Sequence, residues 1–269
     1  MRTFVIGDVH GRREQLRRLI SMLPRDPARD TLVLLGDLVD RCEDVPGTVE
    51  DVINLQRAAD EDPAAAPVVV LRGNHEQMLL DFLDDGARLW LHPAVGGDCT
   101  FEQYTGRELR AKTSEELEEA RRALAEAIPA EHVEFFRGMP LYYEDRLALY
   151  VHAGLDPVKH PSDTPERQLL WSRDPEFFKN YRGKPCVFGH TPTQLLPMLG
   201  RLGHHGIYLS HSAIGIDTGY LESSPLSCLL LPDFILYQTF ADGRSATHHV
   251  HHFIPSELRG FVRYGDFQV

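Results

Sequence analysis

The sequence predicts an α/β protein whose strands deliver polar side chains to one place. Three observations carry that reading. Through the first third, short apolar runs alternate with helical patterns, β-loop-α three times over. Each of those runs stops in a loop rich in Gly, Asp, Asn and His. Two later runs, before His152 and before His190, stop the same way.

The first strand is Thr3-Phe4-Val5-Ile6, closed by Gly7-Asp8-Val9-His10-Gly11. A helix follows over Arg12–Leu23, with Leu16, Leu19, Ile20 and Leu23 on one face, and Pro24 stops it. The second strand, Thr31–Leu35, runs into Gly36-Asp37-Leu38-Val39-Asp40-Arg41-Cys42. A buried strand that ends in two carboxylates and an arginine calls for a metal ion and a phosphate, because unpaired buried carboxylates are costly. An amphipathic helix over Val45–Leu55 and a connector from Ala58 to Pro67 lead to the third strand, Val68–Leu71. It ends in Arg72-Gly73-Asn74-His75-Glu76, and a helix is expected over Gln77–Leu83.

Residues 84–140 change character. They hold Gly96-Gly97, a charged helix opened by the capping box Thr113-Ser114-Glu115-Glu116, and a short helix after Pro129. The charge run Glu115–Arg122 reads as a solvated face. Strands resume afterwards, so one domain over residues 1–269 with a helical insertion at about 84–140 is expected. Leu147–Val151 ends in His152-Ala153-Gly154, a loop carries Trp171-Ser172-Arg173, and Pro185–Phe188 runs into Gly189-His190-Thr191-Pro192. Ile207–Phe240 reads as three or four strands of a second sheet, with turns at Gly219 and Pro232-Asp233.

Composition narrows the function classes. The chain has 269 residues, enough for a large core, and a formal charge of -12. That balance argues against nucleic acid or an anionic membrane as partner, since such binding rests on an excess of Lys and Arg. Cys42, Cys99, Cys186 and Cys228 form no CxxC pair and are expected as reduced thiols. With a strand-like start no secretory leader is expected, and the apolar stretch Leu226–Phe240 is too short and too interrupted to span a bilayer. A cytoplasmic protein is expected.

Singly, a histidine after a strand is an ordinary hydrogen-bonded residue. Five strand ends bearing Asp8/His10, Asp37, Asn74/His75, His152 and His190 are a different matter. Carboxylates, imidazoles and an amide oxygen are ligands of borderline divalent metals such as Mn, Fe or Zn. The count suits two ions sharing one carboxylate. Two such ions about 4 Å apart would activate a water and clamp an in-line displacement at phosphorus. Arg41 and Arg72 offer planar forks for phosphate oxygens.

Those blocks resemble the GDxHG, GDxVDRG, RGNHE, HAG and GH motifs of the phosphoprotein phosphatases, calcineurin-like metallophosphoesterases, and among them the small bacterial and bacteriophage serine/threonine phosphatases. They occur in order, with Ile216-Asp217-Thr218-Gly219 as a weaker last block. The resemblance implies a central β-sandwich of two mixed sheets flanked by helices (α/β/β/α). It implies two divalent metal ions, manganese foremost with iron or zinc as alternatives. Asp8, His10 and Asp37 would hold one ion, and Asp37, Asn74, His152 and His190 the other. His75, oriented by Asp40, would protonate the leaving alkoxide. Arg41 would grip the phosphate, with Arg173, Arg72 and Asn74 as further phosphate contacts. The family block ends in Gly where this chain has Cys42.

Two substrate classes compete. Protein phosphatases of the family carry an acidic residue where Asp40 stands and Glu where Glu76 stands. Symmetrical dinucleoside tetraphosphate hydrolases typically lose the first and replace the second by Asp. Both positions favour a phosphomonoesterase acting on a phosphorylated protein or small monoester, with the dinucleoside tetraphosphate hydrolase as alternative. A catalytically dead binding module is disfavoured, since no motif ligand is missing. The pairs His204-His205, His248-His249 and His251-His252 read as solvated histidines, and Cys99 and Cys228 as ordinary semi-buried cysteines.

Overall fold

The computed structural model describes residues 2–41, 43–197, 206–219 and 223–250. Cys42, His204, His205, His251 and His252 of the sequence reading lie outside the described residues. Numbered in chain order, β1 (Thr3–Ile6), β2 (Thr31–Leu34), β3 (Val68–Val70), β9 (Leu226–Leu231), β10 (Ile235–Thr239) and β11 (Ser245–His249) form a six-stranded sheet in the order β11-β10-β9-β1-β2-β3. The second sheet has five strands, β4 (Tyr142–Glu144), β5 (Leu149–Val151), β6 (Cys186–Phe188), β7 (Tyr208–Ser210) and β8 (Ala213–Gly215), ordered β4-β5-β6-β8-β7.

Both sheets are mixed. β1, β2 and β3 run parallel while β9 joins β1 antiparallel, Thr3 opposite Leu231. In the second sheet β5, β6 and β8 are parallel and the two edge strands antiparallel. The expectation that all strands after Ile207 form a second sheet is therefore corrected. β7 and β8 do so, but β9 and β10 extend the first sheet, because β9 pairs with the free edge of β1. β11 is a largely exposed edge strand, so His248 and His249 face solvent.

The strands read as unbroken apolar runs because both of their faces are covered. Phe4, Ile6, Leu32, Leu34 and Val70 pack with the helices of one side. Val5 and Val33 point the other way and meet Tyr150, Val187 and Ile214 of the second sheet. That sheet's outer face, with Val151, Cys186 and Phe188, is closed by Leu169, Phe177 and Phe178. Each such side chain contributes about 1.5–3 kcal/mol when fully buried, so the two-sided cover outweighs any preference for a polar alternation.

Helices α1 (Arg13–Met22), α2 (Val45–Glu61) and α3 (Asn74–Asp85) follow β1, β2 and β3. Asp44 caps α2 by accepting from Gly47 N at 2.9 Å. α2 runs on to Glu61, past the expected end, because Gln56 to Glu61 are tolerable helix formers and only Asp62, before Pro63, is steered out of the helix. Residues 84–140 supply a 3₁₀ turn (Arg88–Leu91), α4 (Gly97–Thr105), α5 (Ser114–Ala127) and α6 (Ala130–Gly138). The expected capping box is present, with Thr113 Oγ1 accepting from Glu116 N. Trp90, Phe101, Leu124 and Phe136 bury these elements against α2 and α3. The loop expected around Trp171 instead carries α7 (Glu166–Trp171) and α8 (Pro175–Asn180), six residues each and too short to show periodicity. No helix among the described residues is long and apolar enough to cross a membrane.

α3 starts at Asn74, three residues earlier than expected, and the cause is Glu76. Its fully buried carboxylate accepts from Gly73 N at 2.8 Å, Asp37 N at 3.0 Å, Leu38 N at 2.6 Å and Val39 N at 3.3 Å. One side chain thereby caps α3, where the helix dipole favours an anion, and fixes the β2–α2 loop. Burial and the charge of Asp37 push this carboxyl up to about 7, against the pull of its amide donors. Glu76→Gln replaces one acceptor oxygen by an NH2 group that faces amide donors. We expect it to lower the unfolding free energy of the metal-free protein by about 2 kcal/mol or more, measured by urea denaturation. A loss below about 0.5 kcal/mol, the size of an ordinary surface change, would refute the clamp.

Candidate active site

The ends of β1, β2 and β3 in one sheet meet those of β5 and β6 in the other, and all five polar strand ends converge there. The backbone is bent to make this possible. His10, Asp37, Asp40, Arg41 and His190 take positive φ values of 49°, 50°, 68°, 60° and 61°. Non-glycine residues avoid this region, and its concentration marks a place where the surrounding structure imposes the conformation. Two glycines allow the close approach. A Cβ on Gly73 would lie 2.1 Å from Asp37 Oδ1, and one on Gly189 would lie 2.1 Å from Asp8 Oδ1.

Asp37 sits at the centre. Its Oδ1 is 3.4 Å from His152 Nε2, and its Oδ2 is 3.7 Å from His10 Nε2 and 3.8 Å from His75 Nε2. Asn74 Oδ1 lies 2.9 Å from His152 Nε2 and 2.7 Å from His190 Nδ1. Two groups thus have their ligand atoms within 4.8 Å of one another: His10, Asp37 and His75, and Asp37, His152 and His190. Proximity alone puts His75 rather than Asp8 in the first group. Asp8 instead turns both carboxylate oxygens to His190 N, at 3.1 and 3.0 Å.

Hydrogen bonds sort the imidazoles by role. His10 Nδ1 is 2.9 Å from Val39 O, and His152 Nδ1 is 2.8 Å from Leu35 O. A carbonyl fixes Nδ1 as the donor and leaves Nε2 with a lone pair, the arrangement of a metal ligand. His75 differs: its Nδ1 is 2.7 Å from Asp40 Oδ2. A buried carboxylate there supports the protonated ring.

The electrostatics agree. Burial opposes ionisation of Asp37, but His152, His75, His10 and His190 hold it well below the usual carboxylate range. Burial first, then neighbouring positive groups, push His10 and His190 well below the usual histidine value. His75 goes the other way, since Asp37 and Asp40 outweigh its burial. Asp8 is pushed up by burial and by the carboxylates of Asp217 and Asp37. Buried carboxylates, imidazoles such as His10 and His190 with lowered proton affinity, and an amide oxygen are a donor set that fits divalent cations.

The anion side is partly as expected. Arg41 is exposed with Nη2 3.5 Å from His75 Nε2, and the exposed Arg173 lies close enough to His190 to lower its proton affinity. Trp171 stacks edge-on to His190, with ring centroids 6.4 Å apart. Arg72 does not join them. Its guanidinium donates to Phe136 O, Arg137 O and Gln77 Oε1, so it ties β3 to α6.

Sequence reasoning missed the partners of Asp40. Trp90 Nε1 lies 3.1 Å from Asp40 Oδ1, and Thr100 Oγ1 lies 2.7 Å from the same oxygen. A buried indole N–H needs an acceptor, but nothing local to Trp90 says which one. The thiol expectation also fails at one position. Cys99 is disulfide-bonded while Cys186 and Cys228 are free and fully buried, and separation along the chain says nothing about contact in space.

A symmetrical bis(5'-nucleosyl)-tetraphosphatase of Edwardsiella ictaluri is 42% identical over 80 residues, which are 30% of this chain and 25% of that protein. This chain therefore spans a quarter of that relative's length. Serine/threonine-protein phosphatase 1 of Salmonella typhimurium is 28% identical over 195 residues, 70% of this chain and 78% of that protein. A solved structure described as a candidate diadenosine tetraphosphatase shares the fold, with a TM-score of 0.59, 20% identity and 92% of each chain covered. The family model of calcineurin-like phosphoesterases matches residues 1–215, the span that holds every strand end described above. On that match the chain belongs to the calcineurin-like phosphoesterase family.

Proposed function

We propose that this chain is a dimetal-dependent phosphomonoesterase, a protein serine/threonine phosphatase, folded as one metallophosphoesterase domain with a helical insertion at 84–140. The observation that carries the reading is the buried pair His75–Asp40, with Nδ1 and Oδ2 2.7 Å apart. A monoester leaves as a poor alkoxide and needs a proton in the transition state, whereas a pyrophosphate leaving group needs it less. A chain that holds a carboxylate against its acid histidine is suited to the harder leaving group.

Asp8, His10 and Asp37 would hold one metal ion, and Asp37, Asn74, His152 and His190 the other, with manganese the first choice. When bound, such ions lower the pKa of water and offset the charge on the phosphoryl oxygens. Arg41 and Arg173 bind and orient the phosphate through their planar forks. Water adds to phosphorus, the P–O bond to the alcohol breaks, and His75 Nε2 passes its proton to the departing oxygen. Asp40 holds the Nδ1–H and thereby fixes the ring. Inorganic phosphate and the free hydroxyl side chain are the products.

The alternative is symmetrical hydrolysis of a dinucleoside tetraphosphate, favoured by the 42% identity over 80 residues with the Edwardsiella enzyme. Turnover of a phosphoserine peptide and of diadenosine tetraphosphate with added manganese separates the two. We expect the peptide to be cleaved faster; faster release from the dinucleotide would install the alternative. Asp37→Asn should lose manganese binding and activity together. His75→Asn should keep manganese binding by calorimetry and lose about 10²–10⁴ in kcat on phosphate monoesters. Intact monoester turnover by that variant would remove His75 from the acid role.

A further inference from the structure

Asp40 is fully buried, and a buried carboxylate needs its lone pairs satisfied. Among the described residues its ion-pair partner is His75 alone. The rest of its shell is neutral. Oδ1 accepts from Thr100 Oγ1 at 2.7 Å and from Trp90 Nε1 at 3.1 Å, and the indole reaches Oδ2 at 3.3 Å. Thr100 Oγ1 also accepts from Asp40 N at 3.0 Å, so one hydroxyl grips both the side chain and the backbone of a residue held at φ 68°.

Both partners come from the segment 84–140, Trp90 from its 3₁₀ turn and Thr100 from α4. Their seating is tight. A Cβ on Gly97 would lie 2.6 Å from the indole, and one on Gly96 would lie 2.9 Å from Arg41 N. The start of α4 is therefore pressed against both the indole and the loop that carries Asp40.

We propose that Trp90 and Thr100 are positioning residues for the general acid, and that residues 84–140 serve the reaction by aiming Asp40 at His75. This rests on the reading of His75 as the acid. The choice of donors matters: an arginine or lysine would neutralise Asp40 and compete with the imidazole for it. An indole N–H and a hydroxyl satisfy its oxygens and leave the negative charge for His75. Loss of either donor frees Asp40 to rotate, and the misaimed ring transfers its proton less well, while the metal ligands keep their places.

The test compares esters whose leaving groups do and do not need a proton. Trp90→Phe and Thr100→Val, each loaded with manganese, are assayed on phenyl phosphate and on 2,4-dinitrophenyl phosphate. We expect kcat on phenyl phosphate to fall about tenfold, part of the 10²–10⁴ that general acids supply. KM, manganese affinity by calorimetry and the dinitrophenyl rate should stay within about twofold, and Thr100→Ser should restore the phenyl rate. Equal losses on both esters, a loss that follows metal affinity, or no loss on either would overturn the proposal. His75→Asn is run alongside. If that variant loses both esters equally, the acid reading itself falls, whatever the Trp90 and Thr100 variants do.

Discussion

One carboxylate organises the site without belonging to it. Glu76 binds four backbone amides, three of them in the loop Asp37–Val39, and locks that loop to the start of α3. The loop needs such a lock. Asp37, Asp40 and Arg41 are left-handed, at about 1–2 kcal/mol each for L-residues. Charge-assisted hydrogen bonds contribute about 1.5–3 kcal/mol apiece, so a few of them cover strain of that size. The same lock sets Asn74 and His75 on the first turn of a helix, with His75 N donating to Asp37 Oδ1 at 3.0 Å. Asp37, Asn74, His75 and Arg41 are thus placed by one buried anion.

Much of this was legible in the sequence because the ligands are local to their strands. A short apolar strand followed within a few residues by Asp, Asn or His places that side chain at the sheet's end whichever sheet it joins. The five polar strand ends were therefore readable although the sheet membership of β9 and β10 was not. Pairing depends on which edge is free, and β9 reaches β1 across more than two hundred residues. Arg72 shows what a sequence reading leaves open. Its position beside Gly73 suggests a phosphate contact, but a long side chain can turn, and the carbonyls at the end of α6 claim it. Trp90 and Thr100 were invisible for a related reason, since their partner Asp40 lies fifty and sixty residues away.

The charge distribution also separates two kinds of buried acid. Asp8, Asp37 and Asp217 crowd together and raise one another's cost, with Asp8 and Asp217 pushed upward mainly by burial. Beside them His10 and His190 are held well below the usual histidine value, a donor set that fits divalent cations. Asp40 stands apart, satisfied by neutral donors and facing a single histidine. A protein of formal charge -12 thus need not be basic overall to take a phosphate. In the proposed reading it needs cations over the first cluster, Arg41 and Arg173 at the mouth, and a proton held ready by the second.

That division bears on which ester is cleaved. Stabilising the phosphoryl group helps any phosphate substrate, because the charge gathered on its oxygens is the same in a monoester and in a tetraphosphate. Protonating the leaving atom helps only where that atom is a strong base. A chain that commits a tryptophan, a threonine and a left-handed aspartate to one imidazole therefore carries apparatus that a pyrophosphate substrate would leave largely unused. The apparatus is costly, since it buries a charge and strains the backbone. Its presence is the physical support for the proposed alkoxide leaving group.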